Sequence, residues 1–306
     1  MSGPVVAIGI FDGVHRGHQT ILGRAVRRAR ALRTQPIALT FFPHPATVVA
    51  PWRVPPLLLS LDQRRAAFAA CGLARTVVLR FTKAFARQTP EQFVERVLVR
   101  RLRAREVVVG HDFRFGRHRA GTVETLRALA RPHGMRVHVV SPVRVGRVRV
   151  SSKIIRRAMA RGRLQTVRRY LGRPPTVVGR VVRGAGRGKR VGIPTANVAV
   201  AAGVLPPTGV YAVRARPLGP QAYPTGPWWP AVANLGWRPT VERRHPVAPT
   251  LEVHILRPYV PPLRGRTLEV AFVQRLRPER RFPSVAALVA QIHRDILAAR
   301  RCLTIL

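Results

Sequence analysis

The feature that most constrains this chain is a change of hydrophobic grammar part-way along it. Over residues 5–140, apolar strand-like runs alternate with helical stretches. "VVAIGIF" precedes "HQTILGRAVRRARAL", and "PIALTFF" is followed by "SLDQRRAAFAACGL" and "TVVLRF". "PEQFVERVLVRRL" precedes "EVVVG", and "TVETLRALARPHG" precedes "RVHVVSPV". Strands alternating with helices predict an α/β, Rossmann-like first domain, with a parallel sheet covered by helices on both faces. Ligands of such sheets sit beyond the carboxyl ends of the strands. From about Thr176 the pattern becomes short β-branched runs, "TVVGRVV", "GVYAVRA", "AVANLGW", "TLEVHIL" and "TLEVAFV", parted by Gly- and Pro-rich turns. That predicts an all-β antiparallel barrel or sandwich. A helix, "SVAALVAQIHRDILAARRCL", follows it. The junction "LGRPP", Leu171 to Pro175, sets the expected boundary between domains 1–173 and 174–306.

Composition narrows the class. There are 55 Lys+Arg against 12 Asp+Glu, a formal charge of +43, and only Lys83, Lys153 and Lys189 are lysine. Such charge suits a polyanion binder. The arginines are spread along the chain instead of gathered into one arm, which favours a compositional bias carried on solvated faces. Aromatic residues are only 6% and no basic helix-turn-helix is legible, so no specific nucleic-acid partner is expected. No run of about 18 apolar residues marks a membrane span, and the N-terminus has no secretory pattern. Cys71 and Cys302 lie far apart without metal spacing, which fits a reduced, cytoplasmic protein. Weak self-association is the most that is expected of its assembly.

The first strand ends in "GIFDGVHRGH". A strand turning through small residues into a helix presents backbone N–H groups to whatever lies above the sheet, and phosphate binds there readily. His15 and His18 are three apart at the helix start and share one face. Two imidazoles there can donate to phosphate oxygens and stabilise charge on a leaving pyrophosphate. Gly17 is expected to leave room for a nucleotide. In the second half, "GRGKRVGIPTAN" superficially suggests a phosphate-binding P-loop. It lacks one, because Arg190 stands where Ser or Thr belongs and the context is β-rich.

These segments together resemble the bifunctional bacterial riboflavin kinase/FMN adenylyltransferase family. "GIFDGVHRGH", "TFFPHPATVV", "VVVGHDFRFGRHRAG" and "VSSKIIRRAMARG" resemble its nucleotidyltransferase part. "GRVVRGAGRGKRVGIPTANV", "LPPTGVYAVRA", "AVANLGWRPTV", "LEVHIL" and "LRPERRFPSVAALVAQIHRDI" resemble its riboflavin kinase part. The resemblance implies a nucleotidyltransferase fold for the first domain, transferring the adenylyl group of ATP to FMN. The implied phosphate- and nucleotide-binding residues there are Gly9, Phe11, Asp12, Gly13, Gly17, Asp112, Ser151, Ser152 and Arg156, with His15 and His18 catalytic. For the second domain it implies ATP-dependent phosphorylation of riboflavin. Gly184, Gly192, Thr195 and Asn197 would meet the nucleotide, Thr195 and Asn197 would hold Mg²⁺, and Glu252 would be the base toward the riboflavin 5′-hydroxyl. ATP, riboflavin, FMN and FAD are then the substrates and products.

Two positions depart from the family pattern. Lys153 replaces a threonine in "SSKIIR", and Arg257 stands where an acid usually follows the "LEVHIL" strand. Trp228, Trp229 and Trp237 are candidates for stacking on a flavin, although tryptophan more often packs in a core or loop. His44, His111, His133, His245 and His293 show no ligand spacing. Two other readings remain open from the sequence: a protein in which only the kinase domain is active, Lys153 having silenced adenylyl transfer, and a catalytically idle basic scaffold that binds nucleic acid.

Overall fold

The computed structural model describes residues 3–184, 188, 192–200, 203–237 and 249–304. Its contacts divide the chain into two compact units, Met1–Ser152 and Lys153–Leu306.

In the first unit, β1 (Val5–Ile8), β2 (Pro36–Phe42), β3 (Arg75–Arg80), β4 (Glu106–Gly110) and β5 (Arg136–Val140) form one parallel sheet in the order β3-β2-β1-β4-β5. The strand order reverses at β1, so the connections leaving β1 and β4 diverge and open a crevice at their carboxyl ends. The connecting helices are α1 (Arg16–Ala31), α2 (Pro45–Val49), α3 (Leu61–Ala70), α4 (Lys83–Ala86), α5 (Pro90–Phe93) and α6 (Val123–Ala130). A π-helical stretch, Val94–Arg101, continues α5. Alternating strand residues serve opposite faces. Val5, Ala7, Ala38 and Val108 join Leu22, Ala25 and Ala29 of α1 and Phe68 of α3. Val6, Ile8, Leu39, Val107 and Val109 join Val94, Leu98, Leu126 and Ala130 on the other side. Side-chain caps fix the helix starts: Ser60 with Gln63, and Thr89 with Gln92, form capping boxes, and Thr122 caps α6. A small hairpin of β6 (Arg144–Val145) and β7 (Val148–Arg149), too short for a sequence pattern to reveal, follows β5.

The second unit contains α7 (Ser152–Ala160), whose first residue belongs to the first unit, and α8 (Leu164–Leu171). Leu164, Val167, Tyr170 and Leu171 are buried, and α8 ends at Gly172 in the left-handed region. After it come β8 (Thr176–Val182), β9 (Ala196–Val200), β10 (Gly209–Leu218), β11 (Trp229–Trp237), β12 (Pro249–Ile255) and β13 (Thr267–Arg277). These six close into a barrel in the order β10-β11-β12-β9-β8-β13, which resolves the choice between barrel and sandwich. β9 is the strand that the sequence pattern did not separate from the "PTAN" turn. Closure leaves no free sheet edge. By contacts, residues 153–171 group with the barrel, α8 lying against β13.

Leu251, Val253, Ala233 and Leu235 are buried on one side of the barrel wall. The opposite side of β10 and β11, through Val210, Ala212 and Val232, is covered by Ala299 and Leu303 of the C-terminal helix Val285–Thr304. Asp295 on that helix accepts from Nε and Nη2 of Arg277, which ties helix to barrel.

Candidate active sites

The loop from Gly9 to His15 leaves the buried strand β1 and enters α1. Three of its residues sit in the left-handed region: Phe11 (φ 53°), Gly13 (φ 88°) and Val14 (φ 40°). Only Gly13 adopts it without a Cβ penalty. Phe11 and Val14 are held there by burial in the core. A Cβ on Gly9 would lie 2.9 Å from the Phe11 ring, so Gly9 makes room for Phe11. Gly17 serves His15 in the same way, since a Cβ there would stand 3.2 Å from the imidazole Cε1. The space beside Gly17 that the sequence assigned to a nucleotide is taken by the His15 ring.

His15 caps α1. Its Nδ1 accepts from the His18 backbone N–H at 3.3 Å, so in the neutral ring the proton is on Nε2, which remains a donor. The two imidazoles stack with centroids 3.6 Å apart, and Phe11 meets His18 edge-on at 5.3 Å. Burial, with a smaller contribution from His15, holds the His18 pKa well below its ordinary value. Its Nδ1 is buried with no hydrogen-bond partner. At neutral pH the buried His18 ring is therefore uncharged. Arriving phosphate would favour its protonation.

Asp12, 3% exposed, fastens the loop. Its Oδ1 accepts from the N–H groups of Leu58 (2.9 Å) and Leu59 (3.2 Å). Its carbonyl accepts from the Ser152 hydroxyl at 2.9 Å. Ser152 thus starts α7 beside the histidine loop, with Ser151 before it, while Arg156 falls in the second unit. Lys153 is exposed, whereas Arg156 is half-buried. Asp112, in the loop after β4, accepts from Arg149 of the β6–β7 hairpin at 2.6 Å. Sequence reasoning missed Arg64. This arginine on α3 is 2% exposed and donates to the Ile10 carbonyl (2.8 Å) and the Thr40 hydroxyl (3.2 Å), beneath the loop. Burial lowers its pKa and the charge of Asp12 opposes that. Nothing in the sequence distinguishes it from the many solvated arginines around it.

In the barrel, register assembles the second site. Glu252 on β12 pairs with Asn197 on β9 and, across its other edge, with Asn234 on β11. Directly opposed residues point to the same face, so Asn197, Glu252 and Asn234 form one polar row. It lies on the side of the wall opposite buried Leu251 and Val253. Asn234 was not singled out in the sequence, because one asparagine in a strand carries no pattern of its own. Gly184 lies against Asn197, and a Cβ there would stand 2.0 Å from the carboxamide Nδ2. A Cβ on Gly188 would be 3.3 Å from Thr195 Oγ1. Gly192 has φ 74° with open space beside it. Two neutral oxygen donors, Thr195 and Asn197, thus face a glycine cradle, which fits Mg²⁺ bound together with nucleotide phosphates. Among the described residues no cluster of three or more His, Cys, Asp or Glu could hold a metal, so the negative charge at such a site comes chiefly from the phosphates.

The FAD synthetase family model matches residues 1–154, and the riboflavin kinase model matches residues 171–303. The bifunctional riboflavin kinase/FMN adenylyltransferase of Escherichia coli K12 is 37% identical over 298 residues, 97% of this chain and 92% of that one. The chain belongs to the bifunctional riboflavin kinase/FMN adenylyltransferase family. The relative from Pseudomonas fluorescens is 38% identical over 97% of this chain and 92% of its own. That from Bacillus subtilis is 31% identical over 95% and 90%. A solved structure described as a macrolide-efflux protein from Streptococcus pneumoniae superposes with a TM-score of 0.84 at 28% identity, covering 98% of this chain and 94% of that one. Among the described residues of this chain, no helix is long and apolar enough to cross a membrane.

Family membership places the histidine loop in the FAD synthetase part and the polar row in the riboflavin kinase part. Trp228 and Trp229 are engaged in other ways than a free stacking platform. Arg216 lies over the Trp228 ring at 4.1 Å, and Trp229 is buried at the start of β11. The side chain of Trp237, like His245 and residues 185–187 and 189–191 of the glycine-rich loop, lies outside the described residues.

Proposed function

We propose that the chain makes FMN and then FAD: the barrel unit phosphorylates riboflavin with ATP, and the sheet unit adenylylates FMN with release of pyrophosphate. The observation that carries this reading is the register pair of Glu252 with Asn197. It puts a carboxylate beside the donor pair of the "PTAN" turn within a family whose members carry both activities. In the kinase step Glu252 accepts the riboflavin 5′-hydroxyl proton as that oxygen attacks the γ-phosphorus and the bond to ADP breaks. Thr195 and Asn197 hold the nucleotide end, and Mg²⁺, when bound there, neutralises phosphate charge.

In the adenylyl step an FMN phosphate oxygen attacks the α-phosphorus of ATP, and pyrophosphate leaves. His15 Nε2–H and His18 supply donors to the charge that develops. Asp12, Ser152 and Arg64 act on placement, holding the loop that carries both rings. Ser151, Arg156 and Asp112 complete the nucleotide side of this reading. The chain has only two cysteines, Cys71 and Cys302, far apart in sequence, which suits the reducing cytoplasm where we place these reactions. The partners are these small molecules.

Chromatography of products from riboflavin, ATP and Mg²⁺ tests the assignment. FMN followed by FAD is expected. FMN alone would show that the Lys153 segment no longer supports adenylyl transfer, and neither product would leave only a basic scaffold. Fragments beginning at Lys153 and at Arg173 locate the functional boundary: both should make FMN and no FAD if it lies at 173/174.

A further inference from the structure

We propose that His254 is a positioning residue of the kinase site, clasping the "PTAN" turn to the strand that bears Glu252. This rests on the reading of that turn as the nucleotide holder. The β9–β12 ladder runs through Glu252↔Asn197 to Val253↔Ala196 and stops there. The cause is in the sequence. Pro194 has no N–H to donate and its ring fixes φ, so backbone pairing cannot continue past the turn. Its carbonyl still needs a donor.

His254 provides it. Its Nδ1 lies 2.8 Å from the Pro194 carbonyl oxygen. Because a carbonyl only accepts, Nδ1 carries the hydrogen. His254 is two residues from Glu252 and therefore projects from the same side of β12. One strand thus holds both the proposed base and the bond that fixes the turn. From within the loop, Ile193 N–H donates to the Gly188 carbonyl at 2.8 Å. Thr195 is held between the His254 bond at Pro194 and the ladder that begins at Ala196. With His254 removed, nothing from β12 would hold the turn beyond the end of the ladder at Ala196, and Thr195 would sample positions away from Asn197.

An ordinary hydrogen bond corresponds to about a 3- to 10-fold change in the population of the competent turn. His254→Ala in the full-length chain should therefore raise KM for ATP in riboflavin phosphorylation by about that factor. Its kcat should change less, because the base is untouched. His254→Asn places an amide N–H near the position of Nδ1 and should restore KM. A second readout needs no turnover: amide hydrogen exchange of residues 195–200 should speed up in His254→Ala and recover in His254→Asn. FAD formation from supplied FMN should stay at the parent rate.

Unchanged KM and unchanged exchange in His254→Ala would overturn the proposal. So would faster exchange with unchanged KM, since the clasp would then be structural only. Thr195→Ala separates this failure from a failure of the site itself. If it raises KM while His254→Ala does not, the turn binds nucleotide and only the clasp is wrong. If neither raises KM, both readings fall.

Discussion

Replacing Gly184 by alanine should abolish most kinase activity while leaving the protein as stable as before. The added Cβ would stand 2.0 Å from Asn197 Nδ2 and 2.5 Å from its Cγ. Ordinary contact begins near 3.4 Å, so the carboxamide must retreat by about 1.4 Å or change rotamer. That retreat is cheap in stability, because the clashing atoms end a side chain and Gly184 is outside the left-handed region. It is costly in function, because displacing a positioning group by about 1 Å can lose about 10²-fold in rate. Gly192→Ala is the contrast. Its φ of 74° imposes backbone strain of about 1–2 kcal/mol, but nothing lies within 4 Å of the new methyl. It should destabilise the loop and spare Asn197. The assay is the initial rate of riboflavin phosphorylation, with FAD formation from supplied FMN on the same preparation as a control for folding. A double-mutant cycle then isolates the cause: on an Asn197→Ala background, Gly184→Ala should cost little more. If Gly184→Ala retains kinase activity within about 3-fold, or if its loss is undiminished without Asn197, the reasoning fails.

Three further outcomes follow from the same geometry. His18→Ala should reduce FAD formation by about 10²–10³-fold while leaving FMN formation intact, and unchanged FAD synthesis would remove His18 from the site. Glu252→Gln keeps size but cannot take a proton, so FMN formation should fall by about 10²-fold or more with FAD formation from FMN untouched; equal loss of both would indicate misfolding. At the far end of β4, buried Glu106 accepts from Arg28 at 2.6 and 2.8 Å and pairs with His138 at 2.7 Å. Arg28 is the main cause of its lowered pKa. Its stabilisation is therefore present above the ordinary glutamate range and is lost as pH falls through the lowered folded-state value. Glu106→Gln should lower stability at pH 7 by about 1–3 kcal/mol, and thermal unfolding across pH should show the gap from the parent closing in acid.

Much of this molecule is legible along the chain because its signals are local. Alternation of periods marks the two kinds of fold. "DGVHRGH" reads as a strand-to-helix anion site because strand, turn and helix are neighbours in sequence. The kinase motif is readable in part for the same reason, since "PTAN" is four consecutive residues.

What the sequence could not decide depends on residues brought together from far apart. Arg64 looks like any surface arginine until α3 folds over the Ile10 carbonyl. Glu252, Asn197 and Asn234 become one row only through the register of three strands, and a slip of one residue would turn Glu252 to the other face. His254 gains its partner because Pro194 cannot extend the ladder on a neighbouring strand. Gly17 seemed to make room for a ligand, but the fold gives that space to His15. Local propensity and spacing determined the elements, and the resemblance of the motifs implied the chemistry. Barrel closure, strand register and burial decided which side chains meet, because hydrogen bonds and desolvation act through distance in space and not along the chain.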